Sequence, residues 1–197
     1  IGRHNLFNFG FMEVYAFHLA YGRINGTDVN LTCLANFAKP QDIQLQHQIL
    51  RRLQDVTSVQ IVPKMYDMFF DTDDDGDALS YVIVEWIEDT LHSFLLGLYN
   101  DYDFETRIDI IEDIKNQIKA KCRVLIEMGL CPNCISSRQL LVKRDPESKN
   151  VTVLFIKLNY IQAIEPLPGR IPNSDDIERL VRERTSDVLR DMNHSRR

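Results

Sequence analysis

Met128-Gly129-Leu130-Cys131-Pro132-Asn133-Cys134-Ile135-Ser136-Ser137-Arg138-Gln139-Leu140-Leu141-Val142 is the stretch from which the rest of the chain is read. Glycine after an amphipathic run is a helix stop, because it takes the left-handed backbone that ends a helix without steric cost. A polar loop follows, and then Leu140-Leu141-Val142, a short apolar strand. Within these fifteen residues there is one cation, Arg138, and no carboxylate.

Working outward, the run before Gly129 predicts a long helix from about Phe104 to Met128. Ile108, Ile111, Ile114, Ile118, Cys122 and Leu125 recur at 3.6-residue spacing along one side of it. Thr90 can cap a shorter helix carrying an apolar stripe of Leu91, Phe94, Leu95 and Leu98. After the loop, Leu140–Val142 and Val151–Leu158 predict a hairpin around Asp145-Pro146-Glu147-Ser148. A last helix of mixed charge is expected over Asp175–Met192, capped by Asn173 or Ser174.

The first part of the chain reads as strands. Val14-Tyr15-Ala16-Phe17 and Val29–Phe37 are apolar or alternating, with Asn25-Gly26 as a hairpin signal between them. Pro40 opens a helix whose Ile43, Ile49, Leu50 and Leu53 share a face. Ile61–Phe70 is expected to be extended, with Pro63 making it an edge or an irregular strand, and Tyr81-Val82-Ile83-Val84 is a buried strand. The boundary between two parts falls near Glu85–Asp89.

The loop and the element order together resemble a protein kinase whose chemical residues are replaced. In the family a His-Arg-Asp motif, four residues and Asn precede a short apolar strand. Here Cys131 stands at the His, Asn133 at the catalytic Asp and Arg138 at the metal-binding Asn. Thr32-Cys33-Leu34-Ala35 is similar to Val-Ala-Ile-Lys and puts Ala35 at the phosphate-binding lysine; no Lys or Arg occurs from Ile24 to Ala38, so a register error changes nothing. Gln46 takes the place of the ion-pairing Glu, and Lys157-Leu158-Asn159 that of Asp-Phe-Gly, with Lys157 at the metal-binding Asp. Phe7-Asn8-Phe9-Gly10-Phe11-Met12 replaces the glycine-rich loop with one glycine and three aromatics.

The resemblance implies an α+β, kinase-like bilobal fold, with a small β-rich lobe over 1–87 and a mainly helical lobe over 88–197. Few residues follow Asn159, so the large lobe is expected to be truncated, and the apolar face of the long helix must then find the terminal helix, another copy or a partner. The function implied is that of a catalytically inactive pseudokinase, a scaffold, allosteric regulator or decoy working through a protein partner or a homo-oligomer. Two alternatives stay open: a divergent active kinase of the secretory pathway, and a calcium-binding α+β module.

No cofactor is expected, although Arg138 and Lys157 are two cations that could hold an anion or a nucleotide without metal. Asp71-Thr72-Asp73-Asp74-Asp75-Gly76-Asp77 matches the first half of an EF-hand loop and offers Asp71, Asp73 and Asp75 to calcium. The position that needs a bidentate Glu is Val82, so a solvated acidic turn is the simpler expectation. Cys131-Pro132-Asn133-Cys134 is a CxxC, but it follows a helix where a redox motif should open one, and two further zinc ligands are wanting. His18, His47 and His92 compose no triad.

The 197 residues are 44% hydrophobic, enough for a real core, and their 23 basic and 29 acidic residues give a net charge of -6 that does not favour nucleic acid. No apolar run approaches the roughly 20 residues of a membrane span. Ile1-Gly2-Arg3-His4 is not expected to act as a signal peptide. The cytoplasm is the default compartment, while sequons at Asn25, Asn30, Asn150 and Asn193 favour the secretory pathway.

Overall fold

The computed structural model describes residues 3–7, 14–24, 27–38, 40–55, 59–72, 78–87, 89–132, 135–145, 148, 150–155, 161–163 and 173–194. Side chains are described in 47–55, 59–67, 82–87, 89–130, 132, 135–145, 148, 150–155 and 173–193. The chain is mixed α+β and divides into two compact units, Ile1–Ile87 and Glu88–Arg197.

The first unit holds an antiparallel sheet of β1 (Arg3–Phe7), β2 (Val14–Ile24), β3 (Thr27–Ala38), β4 (Met65–Thr72) and β5 (Ala78–Glu85), ordered β1-β2-β3-β5-β4. Helix α1 (Pro40–Gln54) lies between β3 and β4 in sequence. Ile24 faces Thr27 in the β2–β3 ladder, while Asn25-Gly26 itself lies outside the described residues. Ile49 and Leu53 of α1 are buried, as are Ile61, Val62, Val82 and Val84.

Two expectations are corrected here. The extended stretch was to start at Ile61, but β4 starts at Met65. Pro63 has no N–H for a ladder, and the chain around it is held by side chains instead. Gln54 donates to the Pro63 carbonyl (2.9 Å) and accepts from the Met65 N–H (3.1 Å), while Glu85 accepts from the Lys64 N–H (2.8 Å). The acidic turn was to start at Asp71, but β4 runs on to Thr72, with Asp71 opposite Leu79.

The second unit contains β6 (Asp89–Thr90), α2 (Leu91–Asp101), α3 (Phe104–Glu127), β7 (Leu130–Pro132), β8 (Leu140–Arg144), β9 (Val151–Phe155), β10 (Ile161–Ala163) and α4 (Ser174–His194). Its strands form two antiparallel sheets, β6-β8-β9 and β10-β7. Thr90 caps α2 by accepting from the Ser93 N–H (3.1 Å), Asp103 caps α3 through the Thr106 N–H (2.9 Å), and Asn173 caps α4 through the Asp176 N–H (2.8 Å). Each cap satisfies a first-turn donor that the helix itself leaves open.

Leu91, Phe94, Leu95 and Leu98 of α2 are all buried. On α3 the buried set is Ile110, Ile111, Ile114, Lys115, Ile118, Lys121, Cys122, Leu125 and Ile126. Helix α3 packs on α4, β7 and β9, so the face expected to need the terminal helix, another copy or a partner is covered by α4 within this unit. That removes the packing argument for an obligate partner. Ile108, expected on the buried face, is exposed.

Candidate functional site

The loop quoted at the outset is built on α3. Its last turn closes through the Met128 N–H to the carbonyls of Val124 (3.0 Å) and Leu125 (3.1 Å), and through Gly129 N–H to Ile126 (2.9 Å). Gly129 then takes a φ of 76°, the left-handed conformation that a side chain disfavours. This turn delivers Leu130-Cys131-Pro132 into β7, where Cys131 faces Gln162 of β10.

The described part of the loop beyond β7 is firmly seated. Ile135 and Ser137 are buried, and the Ser137 carbonyl accepts from the His92 N–H (3.0 Å) in the first turn of α2. Ser136 and Gln139 close a small turn of their own: the Gln139 N–H donates to the Ser136 carbonyl (3.0 Å), and Gln139 Oε1 accepts from the Ser136 N–H (3.2 Å). Leu140, Leu141 and Val142 are buried as β8 begins.

Arg138, which the resemblance sets against the metal-binding Asn, is exposed and pairs with no described residue. Asn133, which the resemblance sets against the catalytic Asp, and Lys157, which was to share an anion site with Arg138, lie outside the described residues. Ala35 sits in β3 between Tyr15 of β2 and Tyr81 of β5 in the ladder, and Gln46 lies on α1. Ala35 and Gln46 belong to the first unit and Arg138 to the second.

Of the calcium candidates, Asp71 is a strand residue and Asp73 and Asp75 lie outside the described residues. In the CxxC, Cys131 is in β7 and Cys134 lies outside them. Among the described residues no group of three or more His, Cys, Asp or Glu is placed to hold a metal ion, and no helix is long and apolar enough to cross a membrane.

Sequence reasoning missed two polar residues of α3 that hold the hairpin behind this loop. Among the described residues β9 is an edge of its sheet, so one row of its backbone groups has no described strand partner. Gln117 supplies both halves of one: Oε1 accepts from the Val153 N–H (3.0 Å) and Nε2 donates to the Val151 carbonyl (2.7 Å). One turn on, Lys121 Nζ donates to the Val153 carbonyl. Spacing places Gln117 and Lys121 at i and i+4 beside Ile114, Ile118 and Cys122, but names no partner for them.

Lys121 is only 3% exposed, and burial of its ammonium lowers its pKa from 10.5 to about 8, against a smaller opposing pull from Asp113. Lys115, also buried, donates to Glu112 (3.0 Å) and to Asn193 Oδ1 (2.9 Å), tying α3 to the end of α4. On the other side of the hairpin Arg144 pairs with Asp89 (3.0 Å) and Asp101 (3.2 Å) and lies over the Phe94 ring at 4.9 Å. Partial burial opposes its charge, but the two carboxylates outweigh that and raise its pKa.

No model of a known protein family matches the chain, and no curated protein sequence does.

Proposed function

We propose that the chain is a catalytically inactive, kinase-like protein that works as an interaction scaffold or allosteric regulator. Phosphoryl transfer in kinases is mostly positioning and charge neutralisation around ATP and magnesium, and it depends on a base and on carboxylate and amide ligands to the metal. The single observation that carries the reading is that Met128–Val142 contains no carboxylate, with Asn133 at the base and Arg138 at a metal ligand. Ala35, Gln46 and Lys157 extend the same loss to the lysine, its glutamate and the second metal ligand.

The order of elements supports the reading: strands, one helix, two strands, then two helices, a loop and a hairpin. So does the seating of the loop. A segment that had merely decayed would have no reason to keep Ser137 buried and bonded to α2, or Gly129 in the left-handed conformation. On this reading a backbone path is kept and the chemistry on it is replaced.

The test is a thermal-shift titration with ATP, with and without magnesium. Cations at Arg138 and Lys157 take the place of the metal's charge, so any stabilisation by ATP is expected to be independent of magnesium. Stabilisation that appears only with magnesium would require metal ligands this reading denies, and would overturn it.

A further inference from the structure

Where α2 ends and α3 begins, unit two shows an apolar surface that its own core does not use. Leu96 is 68% exposed, Tyr99 43%, Phe104 66% and Ile108 36%. Helical spacing and one shared cation link them. Leu96 and Tyr99 are a turn apart on α2, Phe104 and Ile108 a turn apart on α3. The Arg107 guanidinium joins the pairs, 4.7 Å from the Tyr99 ring centroid and 5.8 Å from that of Phe104. Large exposed side chains scattered singly need no explanation, but four in one patch do.

The charge around the patch identifies what suits it. Between Asp101 and Asp113 there are six carboxylates, all on exposed residues, and one cation, Arg107. Four of the six have work inside the unit. Asp101 pairs with Arg144, Asp103 caps α3, Glu112 pairs with Lys115 and Asp113 accepts from Gln117. Glu105 and Asp109, one turn apart beside the Phe104–Ile108 stripe, bond to no described residue. An acidic rim repels nucleic acid and anionic lipid and attracts Lys and Arg.

We propose that this surface docks a basic amphipathic segment of a partner protein, its apolar anchors on Leu96, Tyr99, Phe104 and Ile108 and its cations on Glu105 and Asp109. The inference deepens the scaffold reading, on which it rests, by naming the chemistry of the partner.

The experiment is fluorescence anisotropy of the full chain with a labelled helical peptide of leucines at i, i+3, i+4 and i+7 and lysines elsewhere. A second peptide with every lysine replaced by glutamate is the control. The lysine peptide is expected to bind saturably and the glutamate peptide not. Phe104→Ser and Leu96→Ser are each expected to weaken the lysine peptide by about tenfold, as loss of an interface anchor does. Asp109→Lys should weaken it and flatten its salt dependence. Both serine changes are at exposed positions, and circular dichroism melts verify the fold.

Equal affinity in wild type and both serine variants would overturn the proposal, as would binding of the two peptides alike. Self-association abolished by Phe104→Ser would also overturn it, by giving the surface to a second copy. The two readings fail separately: phosphate transfer would sink the scaffold reading without changing peptide affinity, and unchanged affinity in the serine variants would leave it standing.

Discussion

The two ends of α3 carry the same apolar periodicity and meet opposite fates. Phe104 and Ile108 at its start are exposed, whereas Ile118, Cys122 and Leu125 toward its end are wholly buried. The later turns are covered by α4 and gripped to β9 by Gln117 and Lys121. In the first turn Arg107 lies over the Tyr99 and Phe104 rings. Spacing along a helix states which residues share a face; only the neighbouring elements decide whether that face is core or surface.

The contrast can be broken most sharply at matched positions. Ile118→Ala empties a filled site and is expected to cost about 2–5 kcal/mol in urea unfolding of the full chain. Phe104→Ala, with a larger side chain removed, is expected to change stability by no more than about 0.5 kcal/mol. Comparable losses at the two positions would mean that the start of α3 is packed after all.

Lys121 sharpens the comparison through pH. Its pKa is lowered to about 8 in the folded chain, so between pH 8 and the ordinary 10.5 the unfolded chain holds a proton that the folded one has released. Stability therefore rises with pH across that window, by about 3 kcal/mol for this group, and the gain is absent below pH 8, where both states are protonated. Urea melts at pH 7.5 and 10 should show this rise in wild type relative to Lys121→Met, which carries no titrating amine. Parallel pH profiles would contradict the burial of the ammonium.

A smaller effect is expected at Gln117. Gln117→Ala leaves the Val153 N–H and Val151 carbonyl of β9 without their partner and should cost about 1–3 kcal/mol. Amide exchange at Val153 should quicken, while exchange on the β8–β9 ladder side is preserved. Unchanged exchange at Val153 would show that the edge of β9 is protected by something other than this side chain.

Much of the fold was legible because its signals are local. Thr90 read as a cap, Asn173 or Ser174 as another, Gly129 as a helix stop, and Leu91, Phe94, Leu95 and Leu98 as one buried face; each depends on neighbours within a turn or two. The roles of Gln117 and Lys121 were not legible, since their partner strand lies more than thirty residues away and a polar residue beside an apolar stripe is more often solvated. Pro63 announced an irregularity, but nothing in its vicinity announced that Gln54 and Glu85 would satisfy the backbone around it. Ile108 satisfied the periodicity and lacked the cover.

The site divides in the same way. Ala35, Asn133, Arg138 and Lys157 are named by a resemblance of order and spacing alone, and the proposal about them rests on that resemblance. The seating of the loop could not be read that way, since it depends on a hydrogen bond from His92 to Ser137 between segments far apart in sequence.

The measurement that tests the central claim most directly is transfer from labelled ATP, with magnesium and with manganese, to the chain itself and to generic acceptor proteins. No incorporation above that of Asn133→Ala and Lys157→Ala is expected, because the proposed reading assigns neither a base nor a metal ligand to those positions. Incorporation by the wild-type chain that either substitution abolishes would contradict the account and make this chain an active, divergent kinase.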